Sequence, residues 1–377
     1  MNQLSIIKIT SKLRKMKRLS LLFGKLCLIA LMALPVFTSC SDDEDNGKEP
    51  TIIHKYENGF YVINEGKMGS KGSICYYKNK QWFNNIYRTN NSGKTLGNTS
   101  TTATIYNNKM YVVSKESPYL TEINLEDFSH VAAIEGEELL GTNGQSNDFC
   151  IINDNTAILT STNGAFKVNL NPLALGETIE GTGRTKDVYK SGNHVLIISD
   201  DKILSYNAID LSFEKELTDA VTGFTQSKDG NIWAANMDKL IKIDPNTLTV
   251  SEIALPEGFS VNYNSMAYTP TCLCSSISEN AIYFVKKDGW NSKEAYKYDI
   301  ASGDLTKIVT APDNYSFYGA GLSVDPKKGN VYATFTEDGW GDHYMNNQIL
   351  VVNGKQETPI QTIDYSGEFW FPSKIIF

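Results

Sequence analysis

The strongest apolar runs of this chain do not alternate cleanly between apolar and polar positions. "GFYVIN", "MYVVSK", "AILTST", "HVLIIS", "NIWAAN", "AIYFVK" and "NVYATF" are largely apolar on both faces. That pattern suits short strands buried between two neighbouring layers. Most follow a turn pair: Asn108-Lys109, Asn155-Thr156, Gly192-Asn193, Asp229-Gly230, Glu279-Asn280 and Lys328-Gly329. The runs recur at roughly 35 to 50 residues, the period of propeller blades.

Each run is followed by a more polar partner, as in "LTEINLEDF", "AFKVNLNP", "ILSYNAIDL", "LIKIDPNTL" and "AYKYDIASGDL". Asp244-Pro245-Asn246-Thr247 and the stretch from Asp299 to Gly303 are turn sequences. A third, polar strand then reads as a blade edge: "HVAAI", "FEKEL", "TVSEIAL", "LTKIV". A short strand precedes each run from the second onward: "TATIY", "DFCIIN", "TKDVYK", "VTGFTQ", "MAYTP" and "GAGLSV". The pattern predicts an all-β fold, a seven-bladed propeller with four strands per blade. The first unit lacks its preceding strand, while an apolar tail from Trp370 to Phe377 is left over. That tail is expected to supply the missing inner strand and close the ring, leaving no open edge.

Residues 1–39 stand apart from the repeats. They carry seven Lys or Arg and no acid, with a basic stretch to Arg18, an apolar run to Phe37, then Thr38-Ser39-Cys40. This reads as an export signal with Cys40 as the lipidation point, and Met16 is an alternative start. Residues 40–54 form an acidic tether, and 55–377 the propeller. Without the signal, 28 basic residues face 43 acidic ones, a net charge of about −15. Such a surface disfavours nucleic acid and anionic lipid as partners. Cys272 and Cys274 are too close along one strand for a disulfide, so Cys75, Cys150, Cys272 and Cys274 read as buried thiols.

Chemistry is expected on the ring face that carries the loops between second and third strands and the links between blades. Two of those loops are long and alike, Lys286 to Ser292 and Thr336 to Asn347, and both contain Asp-Gly-Trp. Each tryptophan either plugs its loop onto the blade or presents its ring to a ligand. The loop from Asn64 to Lys71 lies on the same face. The links "ALPEGFSVNYNSMAY", "APDNYSFYG" and "DYSGEFWFP" add an aromatic rim, and "NNSGKTLGNTST", "GTNGQSND" and "GTGRTKD" are placed opposite as a polar wall. A broad funnel of this composition suits a large amphipathic ligand, with stacking and amide bonding outweighing charge pairing. The candidate ligand-binding residues are Trp290, Trp340, Tyr344, Trp370, Asn291, Asn346, Tyr263, Tyr318 and Arg184. His343 is the one histidine in a promising loop, able in principle to bind metal or act as a base. It has no second histidine beside it, and no nucleophile elbow or two-histidine zinc motif occurs. No catalytic residue, metal or intrinsic cofactor is expected, and the chain reads as a binder, not an enzyme.

The opening "YVINEGKMGSKGSICYY", the divergent repeats and the closing "GEFWFP" resemble the YncE-like surface lipoprotein propellers of Bacteroidetes, among them the BtuG group. The resemblance spans nearly all of the chain after the tether. It implies an outer-membrane, surface-exposed lipoprotein that captures vitamin B12 or a related corrinoid and passes it to a TonB-dependent transporter. Cobalamin would then be the transported ligand. A siderophore or a glycan is the alternative ligand, and a metal-dependent hydrolase or lactonase the alternative activity.

Overall fold

The computed structural model describes residues 59–67, 69–263, 268–270, 272–367 and 369–377. The signal segment, Cys40 and the tether lie outside the described residues. The described part holds seven four-stranded antiparallel sheets. In blade 1 the order from the axis outward is Pro372–Ile376, Gly59–Asn64, Ser73–Lys78 and Gln81–Phe83. The other blades run in simple sequence order from their inner strands: Ser100–Tyr106, Ser146–Asn153, Thr185–Ser191, Thr222–Gln226, Leu273–Ser275 and Tyr315–Val324. Successive inner strands touch one another, and Pro372–Ile376 contacts both Ser100–Tyr106 and Tyr315–Val324, so the ring is closed. The described residues form one compact unit.

The double-sided apolar pattern has a direct packing cause. The second strand of each blade lies between two neighbours, and successive side chains point to opposite sheet faces. In Gly59–Asn64, Tyr61 and Ile63 enter the core shared with blade 2. Phe60 and Val62 enter the core shared with blade 7, where Tyr332, Val351 and Ile375 meet them. One such core fills each of the seven blade interfaces. Burial on both sides leaves no polar stripe in the second strands.

Ring closure follows the expected plan. Tyr61 pairs with Ile376, Val62 with Ile375 and Ile63 with Lys374, the register slipping before Asn64 meets Pro372. Ile375 is buried in the core between blades 7 and 1.

Two inner strands depart from the expected positions. In blade 6 Met266 and Ala267 of "MAYTP" lie outside the described residues, Tyr268 to Pro270 form no strand, and the inner strand described is Leu273–Ser275. Val261 bridges to Lys286, and Asn262 N–H donates to Val285 O at 2.8 Å. The upper part of that edge is thus covered by an incoming link, and Pro270, without an N–H, is poorly suited to a ladder position. In blade 7 the inner strand is ten residues long, with a register shift between Phe317 and Leu322. Gly319 sits there at φ 61°, and a Cβ on it would come within 2.3 Å of the Ser373 carbonyl. Only glycine allows the closing strand to approach so near. The bulge also lifts Tyr318 out of the ladder.

The link between blades 1 and 2 contains a short helix, Ile86–Asn90, that the strand pattern does not predict. Asn91 pins its end to blade 2, donating to Phe128 O at 2.7 Å and accepting from His130 N–H at 2.6 Å. The Tyr87 hydroxyl meets His130 Nδ1 at 2.9 Å. His130 is thus held in a structural contact between link and blade, and His194 is engaged by Glu214 at 2.7 Å. Cys75, Cys272 and Cys274 are buried free thiols, and Cys150 is half-buried.

Candidate functional site

An aromatic ladder runs across the upper face above blades 7 and 1. Trp340 meets Tyr344 edge-on with centroids 6.4 Å apart. Tyr344 lies 5.7 Å from Trp370 and 4.4 Å from Phe371. Phe371 stacks on Tyr318 at 4.5 Å. Four sequence candidates, Trp340, Tyr344, Trp370 and Tyr318, thus belong to one continuous array. Phe371 joins them and was missed, although "GEFWFP" contains it.

The array is held from below. Trp370 O accepts from Gly66 N–H at 3.2 Å and Phe371 O from Glu65 N–H at 3.0 Å, which fastens the closing link to the blade 1 loop. The Asp338 carboxylate, ahead of Trp340, accepts from Ser316 Oγ at 2.7 Å and pairs with Lys293 of blade 6. Trp340 is 86% exposed and Trp290 83%. Neither side chain plugs its loop onto the blade.

Toward the axis, the Tyr318 hydroxyl donates to Glu65 Oε2 at 2.9 Å. Burial pushes the Glu65 carboxyl up from its ordinary value, against a weaker downward pull from Lys115 and from the Tyr318 hydrogen bond. Burial lowers Lys115, and Glu65 opposes that shift. Glu65 and Lys115 occupy equivalent places, one residue beyond the second strands of blades 1 and 2. Deeper in the channel the Tyr268 hydroxyl donates to Asp187. Asp148 accepts from Phe149 N–H at 2.9 Å and from Val188 N–H at 3.0 Å, tying blades 3 and 4 together.

The remaining candidates lie elsewhere. Trp290 and Asn291 sit at the exposed tip of the blade 6 loop, where Asn291 N–H donates to Asp288 O at 3.2 Å. Asn346 spends its amide inside its own loop, donating to Glu337 Oε2 at 2.5 Å. His343 Nδ1 also meets Glu337, at 3.0 Å, so both residues shape the loop that presents Trp340. Tyr263 lies between two ammonium groups, Lys287 at 4.9 Å and Lys186 at 5.4 Å from its ring centroid. Arg184 is exposed on the link into blade 4, across the ring from the ladder.

A cleft of about 470 Å³ opens beside the ladder, between the blade 1 loop, the helical link into blade 2 and the closing link. Of the nine candidates only Trp370 lines it; Lys67, Lys71, Arg88 and Phe369 are lining residues that sequence reasoning did not nominate. The stretch "NNSGKTLGNTST" was placed opposite the aromatic rim, but its Thr95 and Leu96 share this cleft with Phe369 and Trp370. The correction follows from ring geometry: links 7-to-1 and 1-to-2 flank the same blade. The rim is also less open than expected, since Phe317 and Tyr365 are buried in the cores. Phe369 stacks on Tyr365 at 5.3 Å.

A closed seven-bladed propeller with an exposed aromatic array over its closing blades is the class that fold and site define. The chain belongs to the family described as Domain of unknown function (DUF5074), whose model matches residues 58–377. It is similar to a quinonprotein alcohol dehydrogenase-like protein from Bacteroides thetaiotaomicron, at 22% identity over 85% of this chain and 78% of that one, with a TM-score of 0.68. It is also similar to the extracellular domain of a protein described as a hybrid two component system from the same organism. There the identity is 14% over 71% of this chain and 33% of that one, with a TM-score of 0.53. At such identities the likeness is one of fold alone. No curated protein matches the chain. Among the described residues no helix is long and apolar enough to cross a membrane.

Proposed function

We propose that this propeller is a surface-anchored capture protein, tethered through Cys40, that holds a large amphipathic solute against its upper face and passes it to a TonB-dependent transporter. A corrinoid is the ligand the sequence resemblance implies, and its flat macrocycle with peripheral amides suits such a surface. The observation that carries this reading is the ladder from Trp340 through Tyr344 to Trp370 and Phe371, continuous yet exposed at its outer end. Leaving a tryptophan almost fully in water forgoes its burial energy, and presented rings of this kind are typical anchors for a ligand. A corrinoid is too large to be enclosed by the adjoining cleft and would lie across the ladder. We read the site as a binder without catalysis, because the loop histidine, His343, is engaged by Glu337 within its own loop.

Calorimetric titration of residues 51–377 with cyanocobalamin tests the ligand. A saturable heat with a dissociation constant of about 10 µM or tighter supports it. Absence of binding over that range rejects the corrinoid.

A further inference from the structure

We propose that Lys293 is a positioning residue for the site: from blade 6 it clamps the Trp340 loop of blade 7 and so holds that ring in place before a ligand arrives. The inference deepens the capture reading and rests on it for the ligand alone. The twin Asp-Gly-Trp loops carry it, because their two aspartates are held differently. Asp338 is the first residue beyond the second strand of blade 7, Val331–Glu337. Its N–H donates to Asn314 O at 2.7 Å, and one carboxylate oxygen accepts from Ser316 Oγ at 2.7 Å. The other oxygen pairs with Lys293 Nζ, which also donates to Tyr315 O at 2.6 Å. One ammonium thus joins the loop to the start of the inner strand of its own blade.

Lys293 is itself fixed. It follows Ser292, the last residue of the blade 6 loop. Ser292 O accepts from Phe317 N–H at 2.9 Å, and Lys293 O from Ala311 N–H at 2.7 Å. The clamp therefore spans two blades whose backbones are already joined. Asp288, the counterpart of Asp338, has no such hold. Its N–H donates to Ser292 Oγ at 3.2 Å inside its own loop, and among the described residues its carboxylate takes no partner.

The clamp matters because a glycine separates it from the ring. Gly339 lies at φ 134° and Trp340 is 86% exposed, so neither a stiff backbone nor burial fixes the indole. Its place is set by the flanks of the loop: Asp338 on one side, and on the other Tyr344 and the contact of His343 with Glu337. An anchor ordered before binding loses less freedom when the ligand arrives. The ion pair is partly exposed at both ends and contributes little to the fold.

Fluorine NMR of residues 51–377 labelled with fluorotryptophan tests the clamp without any ligand. The chain has five tryptophans, Trp82, Trp233, Trp290, Trp340 and Trp370, and Trp340→Phe identifies the resonance of interest. Lys293→Met and Asp338→Asn should each move the Trp340 resonance toward its position in the unfolded protein, leaving those of Trp82 and Trp233 in place. Lys293→Arg, which keeps charge and donors, should restore it. Cyanocobalamin should bind Lys293→Met about three- to tenfold more weakly than wild type, and Lys293→Arg nearly as well as wild type. A Trp340 resonance unmoved in both Lys293→Met and Asp338→Asn overturns the proposal. So does wild-type affinity in Lys293→Met, or a shift of all five resonances, which would make Lys293 a support of the fold. Wild-type protein that binds no cyanocobalamin rejects the corrinoid, while the fluorine spectra still decide whether Lys293 positions the loop.

Discussion

The Tyr318 hydroxyl donates a hydrogen bond of 2.9 Å to the Glu65 carboxylate, joining residues 253 positions apart in the chain. The bond ties the blade 7 bulge to the first residue after the second strand of blade 1, and so links the ladder to the channel mouth. Tyr318→Phe keeps the ring on Phe371 but leaves a buried acid short of a donor. Chemical denaturation should show a loss of about 1–3 kcal/mol. No change in stability would mean that the bond contributes nothing.

The ladder separates two tryptophans that the sequence treats as a pair. Trp340→Ala and Trp370→Ala should each weaken cyanocobalamin binding by about 1–3 kcal/mol, the usual cost of losing a central aromatic anchor. Trp290→Ala should have a much smaller effect, since that residue is 83% exposed on the neighbouring loop and, among the described residues, the ring contacts of the ladder do not include it. Titration of the three variants checks this, and a dominant effect of Trp290 would move the site toward blade 6.

Ending the chain at Gly367 should destabilise the whole ring and not only one blade. The cut removes the inner strand of blade 1, its pairing with Gly59–Asn64, and the buried Ile375. Loss of one buried isoleucine alone costs about 2–5 kcal/mol, and the cut also leaves the inner edge of Gly59–Asn64 unpaired. Thermal unfolding should shift well downward as one cooperative transition. An unchanged melt would contradict closure by the C-terminal strand.

Burial pushes the Asp148 carboxyl up to about 6, although hydrogen bonds from Val188 and Phe149 and the charge of Lys374 pull it back. A carboxyl whose folded value lies above its unfolded value of about 3.9 keeps its proton in the native state after the unfolded chain has lost it. Its contribution to stability is therefore full below about pH 4 and is lost as pH rises toward about 6. Asp148→Asn cannot titrate. Wild type minus variant stability should fall across that window, read by urea unfolding at several pH values. A flat difference would reject the shift.

Much of the fold is legible in the chain because each blade is a local unit. Turn pairs, doubly apolar second strands and polar edge strands all act within one repeat, so the seven blades and the missing strand of the first could be read from spacing. The reading slipped where links compete with strands. "MAYTP" has strand character, but Val261 and Asn262 take the upper edge of blade 6, and among the described residues the inner strand is Leu273–Ser275. The helix Ile86–Asn90 escaped notice because five residues are too few to show a helical period.

The site was half legible for the same reason. Residue type alone marked Trp340, Tyr344 and Trp370 as unusual in polar loops, and that much is a property of the sequence. Whether a ring plugs a blade or faces water, and which rings touch, depends on contacts between residues far apart in the chain. Trp340 and Trp290 share one motif, yet only Trp340 is joined to the closing link, through Tyr344. The cleft beside the ladder is the clearest case: Lys67, Lys71 and Arg88 are unremarkable in sequence and line one cleft with Trp370 because the last strand returns to the first blade. Local pattern determined the repeat, since strand and turn formation rest on near neighbours. Ring closure alone decided which side chains the candidate site brings together, because it gathers there those of segments that begin and end the fold.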